Sequence, residues 1–209
     1  MSKIKICGLF REEDIQAVNK ASADYAGFII DFPKSHRNVT PERAAELRAG
    51  LKQNMKAVGV FVDQPVEKLI RLAEEGVIDV IQLHGREEET YISHLKSIVT
   101  IPVIQAFQIK ECADIDRAER SSADMILLDS GQGTGTCFAW KNPKIRNRLM
   151  QIERRWFFAG GVTPYNIEEI RKELHPYGID ISSGVESNKV KDGRKIEEAV
   201  LAAHKEEQE

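Results

Sequence analysis

The chain has 209 residues, 42% of them hydrophobic and 30% charged, with a formal net charge of -3. That length buries a full core and fits one α/β domain, while the balance of residues excludes both the disorder signature and a strongly basic nucleic-acid surface. Cys7, Cys112 and Cys137 are too scattered for a disulfide framework or a zinc motif, and no apolar run is long enough for a signal core or membrane span, so a soluble cytoplasmic protein is expected.

Short runs rich in Ile, Val and Phe alternate with charged stretches of helical period. In chain order the pattern predicts strand 3–8, helix 12–22, strand 25–30, helix 41–52, strand 56–62, helix 65–75, strand 78–83 and helix 87–96. It continues with strand 102–107, helix 111–120, strand 124–129, helix 142–151, strand 156–159, helix 164–173, strand 178–182 and helix 192–205. The strands are near-continuous apolar runs, as expected when both faces are covered. Thr40-Pro41-Glu42 and Thr163-Pro164 each place an N-cap side chain before a proline at the first helical position.

Eight strand–helix units predict a single-domain (β/α)8 TIM barrel over 1–209, with the charged stretch 205–209 as a frayed tail. An open doubly wound sheet is the competing architecture. It would normally carry a nucleotide fingerprint after the first strand, and Cys7-Gly8-Leu9-Phe10-Arg11 is not G-x-G-x-x-G.

In a barrel, chemistry sits at the carboxyl ends of the strands and in the loops that follow them. The first strand ends in Cys7 and the sixth in Asp129, a thiol and a carboxylate that together make an acid/base pair. Taken alone, Cys7 reads more readily as a small buried hydrophobe than as a catalytic thiol. Asp129 closes the run Met125-Ile126-Leu127-Leu128, where a carboxylate carries a desolvation cost unless it is paired or functional.

Strands seven and eight end in Ala159-Gly160-Gly161 and Ser182-Ser183-Gly184, glycine turns whose amides can approach an anion, so Gly160, Gly161, Ser183 and Gly184 read as a phosphate cradle. Gly133 and Gly135, in the loop after Asp129, read as a flap with backbone facing a ligand or as a plain surface loop. His84 ends strand four as either a ligand contact or a structural residue. No partner stands at metal-ligand spacing from it, so no metal is expected. Arg37 is either a carboxylate or phosphate clamp or a solvated surface cation.

Several separated motifs occur in order: Lys5-Ile6-Cys7-Gly8-Leu9, Pro33-Lys34-Ser35 with Arg37, Ile81-Gln82-Leu83-His84-Gly85, Leu127-Leu128-Asp129-Ser130, Gly133-Thr134-Gly135, Ala159-Gly160-Gly161, Asp180-Ile181-Ser182-Ser183-Gly184-Val185-Glu186 and Lys191-Asp192. With them the chain resembles the phosphoribosylanthranilate isomerase family of tryptophan biosynthesis over nearly its whole length. The resemblance implies a cofactor-free Amadori rearrangement of a phosphorylated small molecule, with Asp129 as general acid, Cys7 as general base, Arg37 on the substrate carboxylate and the glycine turns on its phosphate. It leaves open a binding-only or regulatory barrel that takes a phosphate ligand. A monomer is the default expectation and a homodimer stays open.

Two departures stand out. The family usually has proline where this chain has His36, and commonly has aspartate where this chain has Ala139 in Phe138-Ala139-Trp140. Loss of that aspartate removes a potential helix cap, a change of about 1 kcal/mol. Asp31 and Cys137 have no assigned role.

Overall fold

A barrel is built when each apolar strand is covered outside by a helix and inside by its neighbours' side chains. The computed structural model describes residues 1–130 and 139–205. Its eight barrel strands are β1 (Lys3–Cys7), β2 (Tyr25–Ile30), β3 (Lys56–Phe61), β4 (Val80–Leu83), β5 (Val103–Gln108), β6 (Met125–Asp129), β7 (Trp156–Ala159) and β8 (Gly178–Ile181). The helices between and after them are α1 (Glu12–Ala21), α2 (Pro41–Ala49), α3 (Val66–Glu74), α4 (Glu89–Ile98), α5 (Cys112–Glu119), α6 (Pro143–Leu149), α7 (Ile167–Leu174) and α8 (Gly193–His204). Each strand runs parallel to the next, and β1 pairs with both β2 and β8, which closes the sheet. The predicted (β/α)8 barrel is the observed one.

The two-residue period of the strands sorts side chains into two separate apolar clusters. Ile4, Ile6, Ile81, Ile126, Leu128, Ile179 and Ile181 belong to the larger one, packed under the helices. Val58, Val80, Ile104, Leu127 and Phe157 fill the lumen instead. The same parity sends Lys5, Cys7, Gln82, Asp129 and Asp180 inward, because each is an even number of residues from a lumen position or lies between two outward ones on its strand.

Several predicted boundaries shift for identifiable reasons. Thr40 caps α2 as expected, accepting from the Arg43 amide with Pro41 in the first turn. Thr163-Pro164 does not begin a helix. Asn166 Oδ1 accepts from the Thr163 amide at 2.8 Å and Asn166 Nδ2 donates to the Gly161 carbonyl at 3.0 Å, closing a turn, so α7 starts only at Ile167. The helix expected from 87 starts at Glu89, because Glu87 spends both carboxylate oxygens on the amides of Asp63 and Gly85.

A short antiparallel pair, Glu186–Ser187 with Val190–Lys191, was not legible from period. Its turn residues Asn188 and Lys189 both have positive φ, the conformation of a tight hairpin turn.

Asp31, unassigned from sequence, joins the end of β2 to α3. Its carboxylate meets Lys68 Nζ at 2.7 Å and its carbonyl accepts from Gln64 Nε2. The residue at Ala139 opens a short 3-10 turn, Ala139–Lys141, and α6 is capped by Asn142, whose Oδ1 accepts from the Lys144 amide. The departure from aspartate at 139 therefore leaves α6 with its cap. Among the described residues no helix is long and apolar enough to cross a membrane. The expected frayed end from 206 onward lies outside the described residues.

Candidate active site

Parallel strands that all end on one rim must deliver their last inward side chains to one mouth. A cavity of about 360 Å³ opens there, lined by Cys7, Asp129, Arg37, His84, Gly160, Gly161 and Ser183 among others. Seven of the residues singled out from sequence are thus brought together. Gly184 does not line the cavity but backs it from the 3-10 turn Ser183–Val185. Gly133, Gly135 and Cys137 lie outside the described residues.

The two glycine turns form one wall. Gly160 and Gly161 have φ of 89° and 65°, which lets β7 end in a sharp reversal. Ser130 Oγ donates toward the carbonyls of Ala159 and Gly160, tying the end of β6 to that reversal. From the other side, Ser182 Oγ donates to the Cys7 carbonyl at 3.0 Å and links loop eight to β1. Ile29, Phe32, Val60 and Val62 give the opposite wall an apolar character.

Arg37 does not face solvent as a lone surface cation. Its Nε and Nη2 donate to the two carboxylate oxygens of Glu186 at 2.6 and 2.8 Å, a planar two-point pairing. Lys191 Nζ donates to the same carboxylate at 2.8 Å and to the Ser182 carbonyl at 2.9 Å. His36, standing where the family usually has proline, reaches Glu186 only at 4.0 Å. Burial alone pushes the Glu186 carboxyl up, but hydrogen bonds from Arg37 and Lys191 outweigh it and hold the group at about 2.

A carboxyl lowered this way adds stability above its ordinary value of 4.5 and loses it as pH falls through about 2. Glu186→Gln is therefore expected to cost about 3 kcal/mol at neutral pH, with the gap to wild type narrowing between pH 4.5 and 2. Urea melts of both proteins across that range test it, and a gap that does not change with pH contradicts the assignment.

His84 stands at the mouth. Desolvation at the rim lowers its imidazole below the usual value, against the opposing charges of Asp129 and Asp180. The Gln82 amide nitrogen lies 2.9 Å from His84 Nδ1. With the Gln82 amide nitrogen as donor, the matching tautomer has Nδ1 accepting and the ring proton on Nε2. Gln82 Oε1, buried and lining the cavity, has no hydrogen-bond partner among the described residues, which leaves an acceptor for a ligand.

Sequence reading missed Lys5, Gln82, Asp180, Glu186 and Lys191. For the first three a signal existed: each is a polar residue at an inward position of a strand that is otherwise apolar. Among the described residues no cluster of three or more His, Cys, Asp or Glu side chains could hold a metal ion.

A closed barrel with acid, thiol and glycine turns gathered in one rim cavity defines the class of phosphate-binding barrel enzymes. Residues 4–202 match the family model of N-(5'-phosphoribosyl)anthranilate (PRA) isomerase. The chain is 40% identical over 205 residues to the N-(5'-phosphoribosyl)anthranilate isomerase of Endomicrobium trichonymphae, covering 96% of this chain and 97% of that one. It superposes on the phosphoribosylanthranilate isomerase of Thermus thermophilus with a TM-score of 0.83 and 33% identity, covering 96% and 97% of the two chains.

An isomerase in complex with reduced 1-(o-carboxyphenylamino)-1-deoxyribulose 5-phosphate matches with a TM-score of 0.82 and 30% identity, over 97% of this chain and 98% of that one. A relative from Thermotoga maritima, described as dimeric and converted to monomers, matches over the same shares. The chain belongs to the N-(5'-phosphoribosyl)anthranilate isomerase family.

Proposed function

We propose that this chain catalyses the Amadori rearrangement of N-(5'-phosphoribosyl)anthranilate to 1-(2-carboxyphenylamino)-1-deoxyribulose 5-phosphate in tryptophan biosynthesis. The observation that carries the reading is that Cys7 and Asp129, from opposite sides of the closed sheet, line one cavity with the glycine turns of β7 and β8.

Asp129 acts as general acid and protonates the furanose ring oxygen, so the C–O bond breaks and an iminium ion forms. Cys7 acts as general base and removes the proton from C2 of the sugar, giving an enolamine that tautomerises to the ketone. Only protons move between enzyme and substrate, so the chemistry calls for no redox cofactor. The iminium charge develops beside the thiol and favours its ionised form at the moment the base is needed.

Positioning supplies much of the rate. The amides of Gly160, Gly161 and Ser183 hold the phosphate, with Gly184 setting the spacing behind them. The apolar wall of Ile29, Phe32, Val60 and Val62 takes the aromatic ring. Arg37 serves the anthranilate carboxylate. Glu186 already takes its Nε and Nη2 in a fixed plane, so the carboxylate is met through Nη1. His84 Nε2 and Gln82 Oε1 provide a donor and an acceptor suited to a sugar hydroxyl.

The chain acts as a monomer in this reading, with a homodimer the alternative. The scattered thiols suit a reducing cytoplasm. Expression of this chain is expected to restore growth without tryptophan to an auxotroph lacking the isomerase. No growth, with soluble protein present, favours a barrel that binds the phosphate ligand without turning it over.

A further inference from the structure

A barrel lumen is normally filled by branched apolar side chains. Lys5 breaks that rule. Its side chain is fully buried in β1, two residues below Cys7 on the same inward face, and its ammonium lies 2.7 Å from Asp180 Oδ1 on β8. The neighbouring strand β2 presents Gly27 opposite Cys7 in register. A Cβ there would stand 3.0 Å from Cys7 Sγ and 3.2 Å from Lys5 Cε, so the thiol and the lysine chain both border the space that glycine leaves bare.

The charged groups around the thiol come from each element packed on it. β1 brings Lys5 and β8 brings Asp180. The hairpin after β8 brings Lys191, itself buried, and the loop after β2 brings Arg37, both of them held by Glu186. Asp129 and His84 line the same cavity from the ends of β6 and β4. Burial pushes the thiol above its ordinary value, Lys5 is the strongest group opposing that, Asp180 adds to the rise and Lys191 again opposes it.

We propose that Lys5 is a positioning residue for the acid/base step: its ammonium, fixed in the lumen by Asp180, is the counter-ion of the Cys7 thiolate. The proposal rests on the reading of Cys7 as general base. It also accounts for a buried ion pair in a place where a methionine or isoleucine would fill the same space without a desolvation cost. Asp180 has a double effect, holding the ammonium in place and drawing part of its field away from the thiol.

The test is the pH dependence of Cys7 alkylation by iodoacetamide in full-length protein carrying Cys112→Ser and Cys137→Ser, without substrate. Lys5→Met is expected to move the midpoint up by about one unit or more, slowing alkylation at pH 7.5 roughly tenfold. Lys5→Arg, which keeps the positive charge, is expected to recover most of that loss. A Lys5→Met protein that keeps its circular dichroism and melt with an unmoved midpoint overturns the proposal. If Lys5→Met does not fold, Lys5→Gln decides, and an unmoved midpoint there overturns it equally.

Because no substrate is present, the alkylation result is separate from the isomerase reading. Cys7→Ala retaining turnover would sink the base assignment even while Lys5 still governed the thiol. In the active enzyme the acid limb of kcat is expected to shift upward in Lys5→Met, a change that a purely structural lysine would not produce.

Discussion

Cys7→Ala and Asp129→Asn are each expected to lower kcat by roughly 10²–10⁴-fold while the barrel stays folded. The two side chains end β1 and β6 and line the same cavity, where the proposed mechanism uses them as base and acid. Asparagine matches aspartate in shape but cannot release a proton to the ring oxygen. Alanine leaves space for C2 but offers no base.

Folding should be little affected, because Cys7 is a small side chain whose loss creates a modest cavity and Asp129 is replaced isosterically. Steady-state turnover alongside a urea melt separates the two effects. Turnover within a few-fold of wild type in a folded variant removes that residue from its assigned role.

Gly184→Ala is the second large effect. A Cβ at Gly184 would stand 1.9 Å from the Val162 carbonyl oxygen, 2.9 Å from its carbon and 3.1 Å from Thr163 Cα. All three are backbone atoms, so no side-chain rotation relieves the collision and the turns after β7 and β8 must separate. The amides proposed to hold one phosphate then no longer converge.

Hydrogen bonds to a charged group contribute about 1.5–3 kcal/mol each, so loss of convergence is expected to raise KM by 10- to 100-fold with a smaller change in kcat. The strain itself should cost about 1–3 kcal/mol of stability. Kinetics and a thermal melt check both parts, and an unchanged KM with an unchanged melt means the close approach of the two turns has no role.

Much of this was legible in the sequence because local patterns and the barrel rule act together. Alternating apolar runs and amphipathic stretches gave eight strands and eight helices, and the rim rule then pointed to Cys7, Asp129 and the glycine turns. Boundaries moved where a side chain competed with the helix for its first turn. Asn166 closes the turn after Thr163, and Glu87 holds the amides of Asp63 and Gly85, and neither can be weighed before the loops are in place.

Lys5, Gln82 and Asp180 carried a weaker signal, a polar residue at an inward position one step below the rim. Reading parity along each strand finds them, whereas reading strand ends alone does not. Arg37 was seen as a cation, but its pairing with Glu186 depends on a hairpin 149 residues away and is a property of the closed fold.

The central question is whether this cavity turns N-(5'-phosphoribosyl)anthranilate over. Purified protein is mixed with fluorescent N-(5'-phosphoribosyl)anthranilate and the fluorescence is followed with time, in parallel with binding of the reduced product analogue. A catalytic loss of substrate fluorescence is expected, many substrate molecules per protein and blocked by the analogue. Tight binding of the analogue with fluorescence decaying only at the uncatalysed rate would contradict it.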